Sequence, residues 1–354
     1  MTSPTVPTSA ESYDAASDAM RPRSLADFTG QPAVSRQLGI RLDASRGRGQ
    51  MPPHLMFSGP PGLGKTTLAM IVAEELELPL TVTSGPALDK PGDLAALLSR
   101  LPGPAVVFID EIHRMQRKIE ELLYPAMEDR VLDIRIGEDA ATARLLRIEV
   151  QPFVLIGATT QLGLVSAPLR ERFGYLGRLA LYDEAALASI LLRSAALLGM
   201  DLPDDAAAAI AARSRGTPRV ANVWLEQVRD YAQVETGGRI DAQVVADTFD
   251  AFGVDPIGLD DLGQDILRSL VVSFDGGPVG LTTLAAAVDE TPGTVSDVYE
   301  PFLLRRGLLA RTPRGRIATA AAYRHFGMEP PVQLTNGDPG PEQGELDLPF
   351  DEAG

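Results

Sequence analysis

The feature that most constrains this chain is the run Gly59-Pro60-Pro61-Gly62-Leu63-Gly64-Lys65-Thr66, a phosphate-binding loop pattern. An apolar stretch precedes it and the helical pattern Thr67-Leu68-Ala69-Met70-Ile71-Val72-Ala73 follows, so strand, loop and helix come in the order the chemistry needs. Glycines let successive backbone N–H groups curl around phosphates, and the helix start adds its positive dipole end. Lys65 is then expected at the β- and γ-phosphates and Thr66 at Mg2+. Such a loop belongs on the edge of a parallel sheet whose strands are joined by crossover helices.

The rest of the chain fits that frame. From residue 20 to 181, short β-rich runs (Leu55 to Phe57, Val106 to Ile109, Phe153 to Ile156) alternate with helical patterns, as in an α/β domain. Residues 182–255 are rich in Ala and Leu at helical spacing (Ala185, Ala188, Ile190, Leu191, Ala195) and read as a small helical domain. Residues 256–328 give short helical patterns, then two apolar triplets flanking Arg311-Thr312-Pro313-Arg314-Gly315-Arg316, which reads as a winged helix. Residues 1–19 and 329–354 are expected to be disordered acidic tails. They carry three and seven acids and no Lys or Arg, so of the net charge of −16 only −6 falls on the body.

That balance argues against coating nucleic acid or anionic membrane by bulk charge, so any DNA contact must be local. The absence of cysteine excludes disulfides, thiolate metal sites and cysteine nucleophiles. His54, His113 and His325 are too scattered to form a metal site. No apolar run approaches the ~18 to 20 residues of a membrane helix, and no signal peptide pattern is visible, so a cytoplasmic location is expected.

A second constellation lies 45 residues past Lys65, where Val106-Val107-Phe108-Ile109 runs into Asp110-Glu111. A buried parallel strand ending in two carboxylates delivers both to the sheet edge where a phosphate-loop ligand sits. Asp110 is expected in the Mg2+ shell, and Glu111 is expected to orient or deprotonate the attacking water. Together the motifs imply an ATPase. A third run ends in Thr159-Thr160, where a hydroxyl either reaches the γ-phosphate or the lytic water, or caps a turn. Arg170 and Arg172 are either surface charge or reach a neighbouring subunit's nucleotide. In Gly216-Thr217-Pro218-Arg219, Thr217 is a good N-cap and Pro218 a good first helical residue, a capping motif that can also aim Arg219 outward. Arg305, Arg306, Arg311, Arg314 and Arg316 put five cations in twelve residues, suited to phosphate contact or simply to a solvated hairpin.

These residues resemble the AAA+ ATPases and, within them, the RuvB family of Holliday-junction branch-migration motors. The resemblance runs from about Met20 to Met328. Its more specific stretches include Thr83-Ser84-Gly85-Pro86, Asp110-Glu111-Ile112-His113-Arg114, Leu123 to Asp129, Gly157-Ala158-Thr159-Thr160, Arg215 to Arg219, Gly276 to Leu281 and Arg311 to Arg316. The resemblance implies a P-loop α/β domain, a helical lid and a C-terminal winged helix. It implies that Met20 and Arg21 flank adenine, that Gly62, Gly64, Lys65, Thr66 and Thr67 hold phosphates, and that Glu128, Asp129, Arg130 and Tyr182 line the nucleotide site. Thr160 matches the first sensor, Arg219 the second, and Arg172 the finger offered to a neighbour. Arg311 and Arg316 match DNA-contacting positions. The resemblance further implies ATP and Mg2+ as cofactors, a homohexamer, Holliday-junction and duplex DNA as substrate, RuvA docking on a hairpin at 132–150, and RuvC in the resolving complex.

The sequence departs from the family in places. Val223, Trp224, Glu226 and Gln227 make the helix after Arg219 less basic than usual, Gln161 replaces a common Arg, and one extra residue lies within Glu138 to Arg147. The tail peptide Glu345-Leu346-Asp347-Leu348-Pro349-Phe350 either resembles a sliding-clamp docking motif or is part of a solubilising tail. A clamp-loader-like AAA+ switch acting on a DNA-bound protein is the alternative to a translocating motor.

Overall fold

The computed structural model describes residues 20–136 and 144–331, and the chain divides into two compact units, Met1–Thr248 and Phe249–Gly354. Both expected acidic tails, the clamp-like peptide and the extra residue of the hairpin fall wholly or largely outside the described residues.

In the first unit, helix α1 (Pro32–Arg48) precedes strand β1 (Leu55–Ser58), the phosphate loop and helix α2 (Lys65–Glu75). Then follow β2 (Leu80–Ser84), α3 (Pro91–Ser99), β3 (Ala105–Asp110), α4 (Arg117–Glu128), the hairpin β4 (Val131–Ile136) and β5 (Arg144–Glu149), β6 (Phe153–Thr159), the short α5 (Ala167–Glu171) and β7 (Tyr175–Arg178). Five strands form one sheet in the order β2-β3-β6-β1-β7, and every pairing is parallel. The three central strands are buried almost end to end, as continuous Val/Ile/Leu/Phe runs covered on both faces should be. One face packs Met56, Val107, Ile109 and Leu155 against Leu94, Leu98, Ile119 and Leu123. Burial of each such side chain contributes roughly 1.5–3 kcal/mol.

The sequence reading names only those three central strands. The two it omits are the sheet's edges: β2 carries Thr and Ser and is only partly buried, and β7 alternates buried and exposed and contains Gly177. In the hairpin, Leu132 stands opposite Ile148 and Ile134 opposite Leu146, while Ile136 meets Arg144. Leu132 and Val150 are buried in the core at its base, and Leu146 is exposed.

The lid helices α6 (Glu184–Leu197), α7 (Asp204–Arg213) and α8 (Pro218–Glu235) complete this unit up to Asp241. Thr217 does take the N-cap position of α8, with Pro218 next. Its hydroxyl, however, turns back to the Arg215 carbonyl at 3.4 Å and makes no cap hydrogen bond.

In the second unit, α9 (Asp261–Arg268), α10 (Leu281–Ala287) and α11 (Glu300–Arg305) pack Leu267, Leu284 and Leu303 around a core shared with the hairpin β8 (Leu309–Thr312) and β9 (Gly315–Ala318). Val279 adds a third antiparallel segment, exchanging backbone hydrogen bonds of 2.8 and 2.9 Å with Arg316. A side chain on Gly315 would strike the Val279 backbone, so this close approach depends on glycine. Helices followed by a small antiparallel sheet are the winged-helix arrangement the sequence predicts.

Candidate nucleotide site and basic wing

Strand register builds the site. Ser58 lies beside Thr159, and Ile109 beside Gly157, so β1, β3 and β6 end side by side at one edge of the sheet. The phosphate loop, the two carboxylates and the threonine pair must therefore meet there. Gly59 N–H donates to the Thr159 carbonyl at 3.2 Å, which anchors the loop to β6. Gly62 sits at φ +77°, and a Cβ there would come within 2.8 Å of Thr217 and 3.1 Å of Arg219, so glycine lets the loop lie against the start of α8.

Lys65 is only 7% exposed, and its ammonium donates to the Gly59 and Pro60 carbonyls at 2.7 and 2.9 Å. Burial pulls its pKa down from the usual lysine value, while Asp110 and Glu111 push the other way and Arg219 adds to the depression. A buried cation held only by neutral carbonyls keeps its charge for an anionic ligand.

Glu111 adopts a left-handed backbone conformation, φ +47°, rare for a residue with a Cβ and characteristic of functional sites. Its N–H donates to Asp110 Oδ1 at 2.9 Å. Its carboxylate accepts from Thr160 Oγ1 at 3.2 Å and lies 3.2 Å from His113 Nδ1, which in turn is 3.0 Å from Thr159 Oγ1. A side chain on Gly85 would collide with the Glu111 carbonyl, so the Thr83-Ser84-Gly85-Pro86 turn braces this strained residue from β2.

A cavity of about 430 Å3 opens over this edge. Met20, Arg21, Gly62, Gly64, Lys65, Thr66, Thr67, Asp110, Glu111, Tyr182 and Arg219 all line it. Tyr182 donates to the Leu63 carbonyl at 3.0 Å, and burial pushes its hydroxyl up to about 12. Arg219 N–H reaches the Gly62 carbonyl at 3.4 Å.

Glu128, Asp129, Arg130 and Arg172 are not among the lining residues. Glu128, Asp129 and Arg130 form an exposed surface at the end of α4. Arg172 lies on that surface too. Its Nε is 3.1 Å from a Glu128 carboxylate oxygen, its guanidinium stacks 4.3 Å from the Tyr124 ring, and it donates to the Pro168 carbonyl at 2.7 Å. Cation–π contact and the ion pair hold the arginine against its own chain.

Sequence reasoning missed several lining residues, among them Phe28, Arg193, Asn222 and Glu226. A signal was present for the last two, because Asn222 and Glu226 lie three and seven residues past Arg219 and share its helical face.

In the second unit, Arg311 and Arg316 stand opposite each other on β8 and β9. Both point at one carboxylate, Glu300, whose side chain is 1% exposed. Arg311 Nε donates at 2.6 Å, and Arg316 donates through Nε and Nη2 at 3.0 and 3.2 Å. Burial pushes the Glu300 carboxyl up, but the two guanidinium hydrogen bonds and charges outweigh it and hold the group below the usual carboxylate range. Arg311 remains half exposed, and Arg316 is largely covered.

Comparison with known proteins agrees with this layout. The chain matches the Holliday junction DNA helicase RuvB P-loop domain over residues 20–179, the RuvB AAA lid domain over 182–255 and the RuvB C-terminal winged helix domain over 256–327. The chain belongs to the RuvB family. It is 52% identical over 312 residues to the Holliday junction branch migration complex subunit RuvB of Corynebacterium jeikeium, covering 88% of each chain. It is 52% identical over 316 residues to the RuvB subunit of Mycobacterium sp. strain KMS, covering 89% of this chain and 88% of that one. The solved Thermotoga maritima RuvB branch migration motor superposes with a TM-score of 0.80 at 46% identity, over 88% of this chain and all of that one. As a member of this family the chain is an AAA+ ATP hydrolase of the branch-migration motor type. Among the described residues, no helix is long and apolar enough to cross a membrane.

Proposed function

We propose that this chain is the ATP-hydrolysing subunit of a hexameric ring that pulls duplex DNA to move Holliday junctions, working with RuvA and, during resolution, with RuvC. The observation that carries the reading is the Glu111 carboxylate, braced 3.2 Å from the Thr160 hydroxyl and lining one cavity with Lys65. Glu111 orients or deprotonates the attacking water, Lys65 and the backbone around Gly62 to Thr67 hold the phosphates, and Thr160 with Arg219 senses the γ-phosphate. Thr66 and Asp110 supply hard oxygen donors, the chemistry Mg2+ prefers, and both line the cavity. The ion, when bound, neutralises charge on the phosphates.

The surface bearing Arg172 and Glu128 to Arg130 is proposed to meet the neighbouring subunit's nucleotide, so that hydrolysis depends on assembly. A head-to-tail contact of this kind closes into a ring when the rotation allows. Arg172→Ala is expected to lose turnover alone and to regain it in mixed rings with Glu111→Gln subunits; no recovery at any mixing ratio would place the finger elsewhere. The hairpin at 132–150, with Leu146 exposed on it, is the proposed RuvA contact, and Arg311 and Arg316 the DNA contact.

The test is ATP turnover by the purified protein, with Lys65→Ala as control, alone and then with four-way-junction DNA and RuvA, followed by strand separation of that junction. Stimulated turnover with ATP-dependent junction dissociation is expected. Turnover without junction processing would overturn the motor reading.

A further inference from the structure

The nucleotide cavity contains a carboxylate that the proposed chemistry does not use. Glu226 is 5% exposed and lines the cavity from α8. Among the described residues no side chain donates a hydrogen bond to it or forms an ion pair with it. Of the charges acting on it, Arg229 favours ionisation, but that guanidinium is bound to Asp230 at 3.1 and 3.2 Å, and Asp230 itself opposes ionisation. Burial without a protein donor holds the Glu226 carboxyl above the usual carboxylate range. An unpaired buried acceptor is costly, and one that faces a ligand cavity is an acceptor for the ligand.

Its place along the helix says which part of the ligand it meets. Arg219, at the start of α8, lies against Gly62 of the phosphate loop. Seven residues on, two helical turns, Glu226 stands on the same face about 10 Å along α8 from Arg219. That is the span from a phosphate chain to the base it carries. Between the two lies Asn222, whose amide oxygen accepts from the Ser194 hydroxyl at 3.1 Å, which leaves its NH2 as the group it can offer the cavity. Met20 and Ile190 supply apolar walls at the same end.

An acceptor and a donor one turn apart beside apolar walls match the edge of adenine, which presents an amine next to a ring-nitrogen acceptor. Guanine offers a carbonyl oxygen where adenine has the amine. We propose that Glu226 accepts a hydrogen bond from the exocyclic amine of the bound adenine, with Asn222 donating to the neighbouring ring nitrogen, and that this pair selects adenine nucleotides. The inference rests on the nucleotide-binding reading of the cavity.

The experiment measures equilibrium binding of ATP, of purine riboside triphosphate, which lacks only the amine, and of 2′-deoxy-ATP. The proteins are wild type, Glu226→Ala, Glu226→Gln and Lys65→Ala. A hydrogen bond to a charged acceptor gives wild type a preference for ATP over the purine analogue of about tenfold or more. Glu226→Ala abolishes that preference by weakening ATP alone, and Glu226→Gln, which keeps a neutral acceptor, falls between. Unchanged affinity for the purine analogue in both variants shows that the cavity is still formed. An ATP preference unaltered by either substitution overturns the proposal, as does an equal loss for ATP and the analogue. If the effect of Glu226→Ala vanishes with 2′-deoxy-ATP, the partner is the ribose and the base contact is refuted. Wild type and Lys65→Ala alike failing to bind any of the three would instead sink the nucleotide reading on which this rests.

Discussion

On the proposed function the phosphate loop and the wing both hold cations for anionic ligands, and they hold them in opposite ways. Lys65 is nearly buried and kept in place by two backbone carbonyls, which carry partial charge but no net charge. Arg311 and Arg316 are kept in place by a full carboxylate, Glu300. The first arrangement gives the ammonium no direct carboxylate partner, although Asp110 and Glu111 act on it from nearby, in a setting where burial makes each interaction stronger. The second cancels one of two charges and leaves a fixed, half-exposed guanidinium on Arg311. A site that must grip one small anion tightly can tolerate a poorly solvated cation. A surface that must grip and release successive DNA phosphates is better served by cations that are ordered but already partly neutralised.

The sharpest way to break this comparison is at Glu111. Glu111→Gln preserves the shape and the Thr160 contact while removing the base, and turnover is expected to fall by roughly 10²- to 10⁴-fold with nucleotide binding retained. Steady-state hydrolysis alongside equilibrium binding checks both halves. Equal turnover by variant and wild type would remove Glu111 from the chemistry and leave its strained backbone without a role. Lys65→Ala comes next. Deleting one charge-assisted hydrogen bond to phosphate corresponds to about 1.5–3 kcal/mol, or roughly tenfold to a hundredfold in nucleotide affinity. A loss well below tenfold would mean that carbonyl-held charge is not the main grip, and the contrast with the wing would weaken.

How much of this could be read from the chain depends on how local the signal is. The phosphate loop was legible because glycine spacing, a flanking strand and a helix start all lie within about twenty residues of each other. Asp110 and Glu111 were legible because a run of buried apolar residues has to end at the sheet edge. The edge strands β2 and β7 were not, since half-exposed strands carrying Thr, Ser and Gly lack an apolar run. Motif matching puts Glu128 to Arg130 beside a nucleotide without saying from which side, so their position outside this chain's own cavity was not legible. Glu300 was invisible: a lone glutamate ahead of an apolar helix announces nothing until the fold brings Arg311 and Arg316 onto it from eleven and sixteen residues away. The lid helix was readable as a departure from its relatives, yet only the cavity gives Glu226 a consequence.

In the wing the expected effects are smaller and they separate the two arginines. Removing a single arginine–phosphate interaction should reduce the slope of log affinity against log salt by about one. Arg311→Ala is expected to do so with little loss of stability, because Arg311 is half exposed and Arg316 still satisfies Glu300. Arg316→Ala is expected to act more on stability, since it removes two of the three hydrogen bonds to a buried carboxylate. Duplex binding across a salt series, with thermal unfolding of the same proteins, tells these apart. Identical profiles for the two variants would mean that the burial difference has no consequence for DNA.

The smallest and most discriminating change is Glu300→Gln, which keeps the side-chain shape and the acceptor shared by the two Nε groups, deletes the negative charge and gives up the acceptor for Arg316 Nη2. If Glu300 mainly neutralises, the wing gains one unit of charge, duplex binding tightens at low salt, and the salt slope steepens by about one. That is the expected result. Weaker binding at every salt concentration would instead make Glu300 an aiming device whose charge is needed to direct the guanidiniums. The same substitution sets the pH dependence. Because the folded-state pKa of Glu300 lies below the ordinary carboxylate value, its contribution to stability is complete above that ordinary value and is lost as pH falls through the lower, folded-state one. The stability difference between wild type and Glu300→Gln should therefore be constant near neutrality and shrink only in acid, below about pH 4.5. A difference that stays constant down through acid would show that the folded-state pKa is not depressed and that the carboxylate exerts little hold on the arginines, which would erase the distinction between the two ways of keeping a cation in place.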